Sequence, residues 1–307
     1  MSDLGFELHF EQDLIQADVL DWFQAAVGEL SPSFAETMRV LEYERDPSAA
    51  HIDVSQPGSL RDAVLAKGTR RGETYQQLVA ESPPKYPRRF GDVLIRGKTR
   101  STHLSIKFDE YTPAHPIGDK WLWSNSIGGR IGAERIDRTP RQQWVRQLAA
   151  VMGGHPSFLW GAAFDSDEFR SRNSYEGPDG MWALGRDVRR SLPGLYWLNL
   201  FGEPYVQLIG GNRFSTLDAA VVQKAARCVI LEIYPLPADW TSEEGRDRHA
   251  RTLRQLGPQF FYDRANPDLE TIAPDFGLSP LPPRRPFQVV TGDGEHFTPL
   301  PRDDINE

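Results

Sequence analysis

Two groups of carboxylates lie at the predicted ends of strands, and they are the residues best placed to do chemistry. Asp109 and Glu110 close one predicted hairpin, and Asp165, Asp167 and Glu168 follow another predicted strand. Such carboxylates could bind Mg²⁺ or act as general acid and base in a metal-dependent hydrolase. They could instead form an acidic surface for lysines and arginines of a partner, or be ordinary solvated strand ends.

The sequence contains no other recognisable catalytic signature. The seven histidines are scattered, with no His-Glu-x-x-His motif and no cysteine pair, so a zinc site has no sequence support. There is no Gly-x-Ser-x-Gly elbow, and the glycines at 128, 129 and 132 match neither a phosphate-binding loop nor a dinucleotide fingerprint. We therefore predict a protein that is not an enzyme and that uses no metal and no cofactor.

Trp121 and Trp123 flank Leu122 in an alternating pattern. Exposed aromatic residues are common anchors in protein interfaces, and alternating tryptophans also suit a strand packed on a core. We keep both as candidate contact residues beside the acidic groups.

Periodicity predicts the elements that position these residues. Residues 4–10 alternate as a half-buried strand, and Asp18 is predicted to cap a helix whose apolar stripe includes Trp22. Residues 92–97 and 102–111 are predicted to pair as a β-hairpin. Thr139 is predicted to be the N-cap of a helix with Pro140 at its first position and Gln142 completing a capping box. Its predicted apolar stripe consists of Trp144, Val145, Leu148, Ala149 and Met152.

Further elements follow from the same patterns. Short helices are predicted near 58–66 and 73–80, strands at 155–164 and 226–235, and an exposed helix from Thr241 to about 256. The mixture of hairpins and helices predicts an α+β fold with a mixed, largely antiparallel sheet. We predict one domain over residues 1–272 and an extended, proline-rich arm over 273–307.

The charge balance limits the class of partner. Lys plus Arg total 35 against 43 Asp plus Glu, a net charge of −8. A direct nucleic-acid ligand is disfavoured because it requires a basic surface, whereas a basic protein partner is favoured. The first residues lack a secretory signal, no window approaches 18 consecutive apolar residues, and the only cysteine is Cys228. These features predict a cytoplasmic protein with no membrane partner.

The run GLYWLNLFGEPYVQLIG at 194–210 has the pattern of a buried strand followed by a short helix that begins at Glu203-Pro204. Together with the preceding WGAAFD at 160–165, it resembles the signature of the immunity protein 52 family of bacterial polymorphic-toxin systems. The family-motif positions are Trp197, Gly202, Pro204 and Tyr205. The resemblance covers about 155–235, and Trp197 and Asp165 are the positions that could match the tryptophan and aspartate emphasised for that family.

The resemblance implies an α+β protein that binds and silences a cognate secreted toxin, often a nuclease, in the producing bacterium. An inhibitor of net charge −8 is complementary to the basic cleft that a nuclease needs. We therefore predict a stoichiometric inhibitor whose toxin-binding surface uses Asp109, Glu110, Asp165, Asp167 and Glu168, with Trp121 or Trp123 as an anchor. The alternative is a metal-dependent hydrolase that uses the same carboxylates. An adaptor that contributes only a surface is a third reading of the same features.

Overall fold

A computed structural model describes most of the chain from Ser2 to Gly277 and two short strand pieces beyond it. The residues described are 2–12, 14, 18–41, 50–53, 55–68, 88–96, 102–111, 125–177, 180–183, 188–263, 270–277, 289–290 and 296–297. The predicted helix at 73–80 and the pair Trp121 and Trp123 lie outside these residues.

A ten-stranded sheet, antiparallel at every described pairing, forms the centre of the fold. Its strands are β1 (Leu4–Phe10), β2 (Arg39–Leu41), β3 (Ala50–His51), β4 (Arg88–Arg96), β5 (Thr102–Tyr111), β6 (Ser126–Ile131), β9 (Phe158–Asp165), β12 (Leu198–Gly202), β13 (Val221–Lys224) and β14 (Cys228–Glu232). Their order is β13-β14-β12-β9-β1-β6-β5-β4-β2-β3. The prediction of an α+β fold with a largely antiparallel sheet is confirmed.

Six further strands form short two-stranded pairs. These are β7 (Arg135–Ile136) with β8 (Thr139–Pro140), β10 (Ser174–Gly177) with β11 (Gly180–Ala183), and β15 (Val289–Val290) with β16 (His296–Phe297). The predicted arm over 273–307 is described only at 273–277, which has no regular secondary structure, and in β15 and β16. The division into a domain and an arm therefore stays a prediction.

The helices described are α1 (Val19–Leu30), α2 (Pro32–Ala35), α3 (Ser59–Gly68), α4 (Arg141–Met152), α5 (Ser166–Asn173), α6 (Glu203–Ile209), α7 (Gly211–Phe214) and α8 (Glu243–Leu256). All five predicted stripe residues of α4 are buried, and the helix stops before Gly153 as the sequence indicates. Trp144 of α4 packs edge-on against Phe6 of β1, with ring centroids 6.3 Å apart. This contact ties the helix layer to the centre of the sheet.

β1 differs from its prediction as a half-buried strand. It pairs with β6 on one side and β9 on the other, and every residue except Glu7 is buried. The face predicted to be polar is therefore largely covered: His9 is only 6% exposed and its ring centroid lies 5.5 Å from that of Trp160, whereas the Glu7 side chain stays 38% exposed. Tertiary packing, which a local pattern does not contain, covers the second face.

The helix caps differ from their predictions either in the residue that forms the cap or in its hydrogen bonding. Asp18 is at the N-cap of α1 but makes no side-chain cap hydrogen bond, since its backbone is left-handed with φ 56°. Thr139 and Pro140 belong to β8, so α4 begins at Arg141. The helix predicted from Thr241 is capped by Ser242, whose Oγ accepts a hydrogen bond from Gly245 N at 2.9 Å. The helices themselves were predicted correctly, with starts within one or two residues.

A glycine inside α1 offers a test of local helix propensity. A Cβ at Gly28 would meet no atom within 4 Å, so Gly28→Ala adds helix preference without a clash. We expect the free energy of unfolding to rise by about 0.5–1 kcal/mol because the unfolded chain loses conformational freedom. Urea denaturation of both proteins measures the difference, and a loss of stability would contradict the described geometry of α1.

Candidate functional site

Asp165, the first of the predicted contact acids after β9, serves as a helix cap. Its Oδ1 accepts a hydrogen bond from Asp167 N at 2.8 Å, which satisfies a free amide in the first turn of α5. Its Oδ2 accepts a hydrogen bond from the Ser2 hydroxyl, and only 6% of the residue is exposed. The Asp165 carboxylate is thus held by Ser2 and by the start of α5, and its role as a toxin contact stays a prediction.

Glu168 lies inside the protein. It is fully buried, and its Oε1 accepts hydrogen bonds from the Tyr234 hydroxyl and from Arg172 Nε, the latter at 3.1 Å. Its Oε2 lies 3.4 Å from Trp197 N, which donates to it. The carboxylate is thus used to join α5 to the segments before β12 and after β14, and it is not part of an exposed acidic surface.

Burial controls the charge of Glu168. Removal from water raises the pKa of this carboxyl to about 7, and the Arg172 charge and the hydrogen bonds offset only part of that effect. Burial, reinforced by the nearby Glu168 carboxylate, also raises the pKa of Tyr234, which therefore stays a hydrogen-bond donor. His249 has its pKa lowered to about 4 by burial and by the Arg172 charge, so it is neutral near pH 7 and can donate from Nε2 to Leu195 O at 3.2 Å.

This raised pKa predicts a pH-dependent stability. The folded protein holds a proton on Glu168 up to about pH 7, whereas the ordinary pKa is 4.5. Between these values the folded state binds more protons than the unfolded state, so stability falls as pH rises. We expect Glu168→Gln, which mimics the protonated form, to gain up to about 3 kcal/mol relative to the wild type between pH 4 and pH 8. Urea unfolding at both pH values measures this gain, and parallel pH dependences would contradict it.

Asp167 is the one residue of this acidic group that faces solvent. Its side chain is 58% exposed and pairs with Arg170 Nη1 at 3.1 Å. Asp109 and Glu110 are near the end of β5, and the structure describes the backbone of these two residues but not their side chains. Asp165 and Glu168 are buried, so the five predicted contact acids do not all lie on one exposed surface. A toxin-binding role for these five residues stays a prediction.

The four family-motif residues belong to the packing around β12. The Trp197 ring is buried beneath Arg146, whose Cζ lies 4.7 Å from the ring centroid, and Arg146 also holds Glu232 through two 2.8 Å contacts. Gly202 lies against the β9 backbone, and Pro204 is in the first turn of α6. The buried Tyr205 hydroxyl donates to Val188 O at 2.5 Å. These positions are structural in the described fold.

The carboxylates that the hydrolase alternative requires do not converge. Glu168 faces Arg172 and Tyr234, whereas Asp165 faces Ser2 and the start of α5. Within the ranges that the structure describes, no group of three or more His, Cys, Asp or Glu residues is arranged to hold a metal ion.

A shallow depression of about 320 Å³ lies where the end of β1, the start of α1 and the turn before β9 meet. The residues that line it are Glu11, Gln12, Asp18, Trp22, His155, Pro156 and Ser157. The sequence did not predict this depression, because its helical periodicity assigned Trp22 to the buried apolar stripe of α1. In the structure Trp22 is 40% exposed, and the only sequence signal for the depression was a tryptophan close to Glu11 and Asp18.

Comparison with known proteins finds similarity among solved structures and no sequence match. No protein-family model and no curated protein sequence matches the chain. The fold is similar to that of the Pseudomonas aeruginosa T6SS protein PA0821, with a TM-score of 0.49 and 13% sequence identity over 83% of this chain and 75% of that chain. Membership of the immunity protein 52 family stays a prediction. Among the described residues, no helix has the length and apolar character needed to cross a membrane.

Proposed function

We propose that this protein is an immunity protein that binds and neutralises a cognate bacterial toxin, a basic nuclease domain, by stoichiometric inhibition. The observation that carries the proposal is the negative charge of −8, accompanied by exposed carboxylates such as Asp18, Asp62 and Asp167 on the described surface. A negative surface attracts a basic partner over distance and raises the association rate. The sequence resemblance at 194–210 supports the same function.

The geometry of the predicted catalytic acids also favours a binding protein. Asp165 caps a helix, and Glu168 is buried with hydrogen bonds from Arg172 and Tyr234, so both carboxyl groups have structural partners. An inhibitor needs only a complementary surface, which for a stable complex buries about 1,200–2,000 Å² in total. Neither turnover nor a cofactor is part of this proposal.

The proposed function predicts a toxin-like domain encoded beside this gene, and that domain is the partner for the first test. We expect co-expression with this protein to restore the growth of cells that the domain alone kills, and the purified proteins to form a 1:1 complex in size-exclusion chromatography with light scattering. The association rate is expected to fall as salt rises, because the attraction is electrostatic. An absence of complex at micromolar concentrations would contradict the proposal.

Titration separates an inhibitor from an enzyme. If the protein acts by binding, residual toxin activity should reach its minimum at one molecule of this protein per toxin molecule, and it should recover when the complex dissociates. If one molecule permanently inactivated many toxin molecules, the protein would be acting catalytically and the proposal would be wrong.

A further inference from the structure

Three segments form the depression beside α1: the residues after β1, the start of α1 and the turn before β9. A backbone hydrogen bond joins the first of these to the third. Glu11 N donates a hydrogen bond to Ser157 O at 2.8 Å, which fixes the end of β1 against the turn before β9. In that turn the His155 Nδ1 accepts from Ser157 N at 3.1 Å. The lining is therefore ordered around a buried histidine and does not depend on a single loop.

Trp22 forms the aromatic part of this depression. Its ring packs edge-to-face with His155, with centroids 5.1 Å apart, while 40% of the residue remains exposed. Because the Trp22 side chain is already packed on His155 and is still accessible, it would lose little further conformational freedom when a partner binds. Such residues are frequent anchors in protein interfaces.

Carboxylates surround the exposed ring. Glu11 and Asp18 are exposed lining residues, and the Asp18 side chain is 77% accessible. Arg61 lies beside these carboxylates: its Nη1 is 2.9 Å from Asp21 and 3.9 Å from Asp18, and its Nε is 3.7 Å from Asp62. One guanidinium is thus shared among three carboxylates, and Glu11 adds a fourth, so the area around Trp22 carries excess negative charge.

We infer that this depression is a docking site for an arginine side chain of the basic toxin, an inference that rests on the proposed function. A guanidinium can lie against the exposed Trp22 ring by cation–π attraction while its N–H groups donate to the Glu11 and Asp18 carboxylates. The aliphatic part of the arginine can cover Pro156, which is exposed at the rim. An acidic side chain would be repelled by the two carboxylates, and a neutral side chain would lack both the cation–π attraction and the charge-assisted hydrogen bonds.

The site can be tested without the toxin. The probe is N-acetylarginine amide, with N-acetylcitrulline amide as a neutral analogue of nearly the same shape. The Trp22 indole N–H signal is assigned in a ¹H–¹⁵N spectrum by its loss in Trp22→Phe. We expect a saturable shift of this signal with the arginine compound and none with the citrulline compound or in Glu11→Gln/Asp18→Asn. An unchanged signal, or equal shifts with both compounds, would overturn the inference.

The second measurement uses the toxin-like domain from the neighbouring gene. Trp22→Ala is expected to weaken its binding at least tenfold, with unchanged circular dichroism. Val222→Ala removes part of a side chain of similar exposure, 39%, from β13, which is four positions from β1 in the sheet, and should leave affinity unchanged. If the wild type binds and Trp22→Ala binds equally well, the docking site is wrong and the proposed function stands. If the wild type does not bind, the proposed function is wrong, and the arginine titration decides the site.

Discussion

Replacing Trp197 by alanine is expected to lower the free energy of unfolding by about 3–5 kcal/mol, the range for removing a large buried aromatic side chain. The residue is completely buried, and its ring supports Arg146, which in turn holds Glu232. Its backbone N–H donates to Glu168, and its carbonyl accepts from Ile233 N at 2.9 Å. The truncated side chain would leave a cavity beneath the Arg146–Glu232 pair.

Chemical denaturation followed by far-ultraviolet circular dichroism measures this loss. Trp22→Ala is the matched control, because Trp22 is 40% exposed and its loss should cost about 1–2 kcal/mol, less than that of the buried Trp197. The comparison separates the effect of removing a tryptophan from the effect of emptying the core. Equal losses in the two variants would show that the burial assigned to Trp197 is wrong.

Gly202→Ala is expected to destabilise the protein by about 3 kcal/mol, at the upper end of the range for adding one methyl group to a packed interior. A Cβ at this position would lie 2.3 Å from Phe158 O and 2.7 Å from Leu159 O. Both atoms belong to the backbone at the start of β9, so they cannot move aside as a flexible side chain would. β12 would have to shift away from β9 to accept the methyl group.

Gly211→Ala is the control for this substitution. Gly211 begins α7 nine residues further along, and a Cβ there would meet no atom within 4 Å. We expect its free energy of unfolding to stay within about 0.5 kcal/mol of the wild type. Thermal and urea denaturation of both variants provide the measurement, and a tolerated Gly202→Ala would contradict the close approach of β12 and β9.

Trp197 and Gly202 both belong to the motif that resembles the immunity protein 52 family. Trp197 is buried beneath Arg146, and Gly202 lies against the backbone of β9, so both motif residues take part in packing in the described fold. The proposed toxin contacts lie elsewhere, on the exposed side of α1 and its surroundings. A variant such as Trp197→Ala would therefore lose toxin binding by unfolding, whereas Trp22→Ala should lose it while folded.

The acidic group after β9 has structural partners that the sequence pattern alone does not show. Asp165 and Glu168 are three residues apart, which is the spacing between the N-cap and the N3 position of a helix. The residues that suggested a metal site or a contact surface therefore also fit the start of a helix. The local pattern indicates that α5 begins there. It cannot show that Tyr234 and Arg172 converge on the Glu168 carboxylate, since Tyr234 is 66 residues away.

The sequence by itself determined the elements whose signals are local: the apolar stripe of α4, the hairpin of β4 and β5, the proline at the start of α6 and the net negative charge. It could do so because helix and strand periodicity and proline geometry act over a few residues. Only the tertiary structure decided which face of each element is covered. It buried Glu168, covered both faces of β1 and left Trp22 exposed, because burial depends on segments that are distant in the chain and adjacent in space.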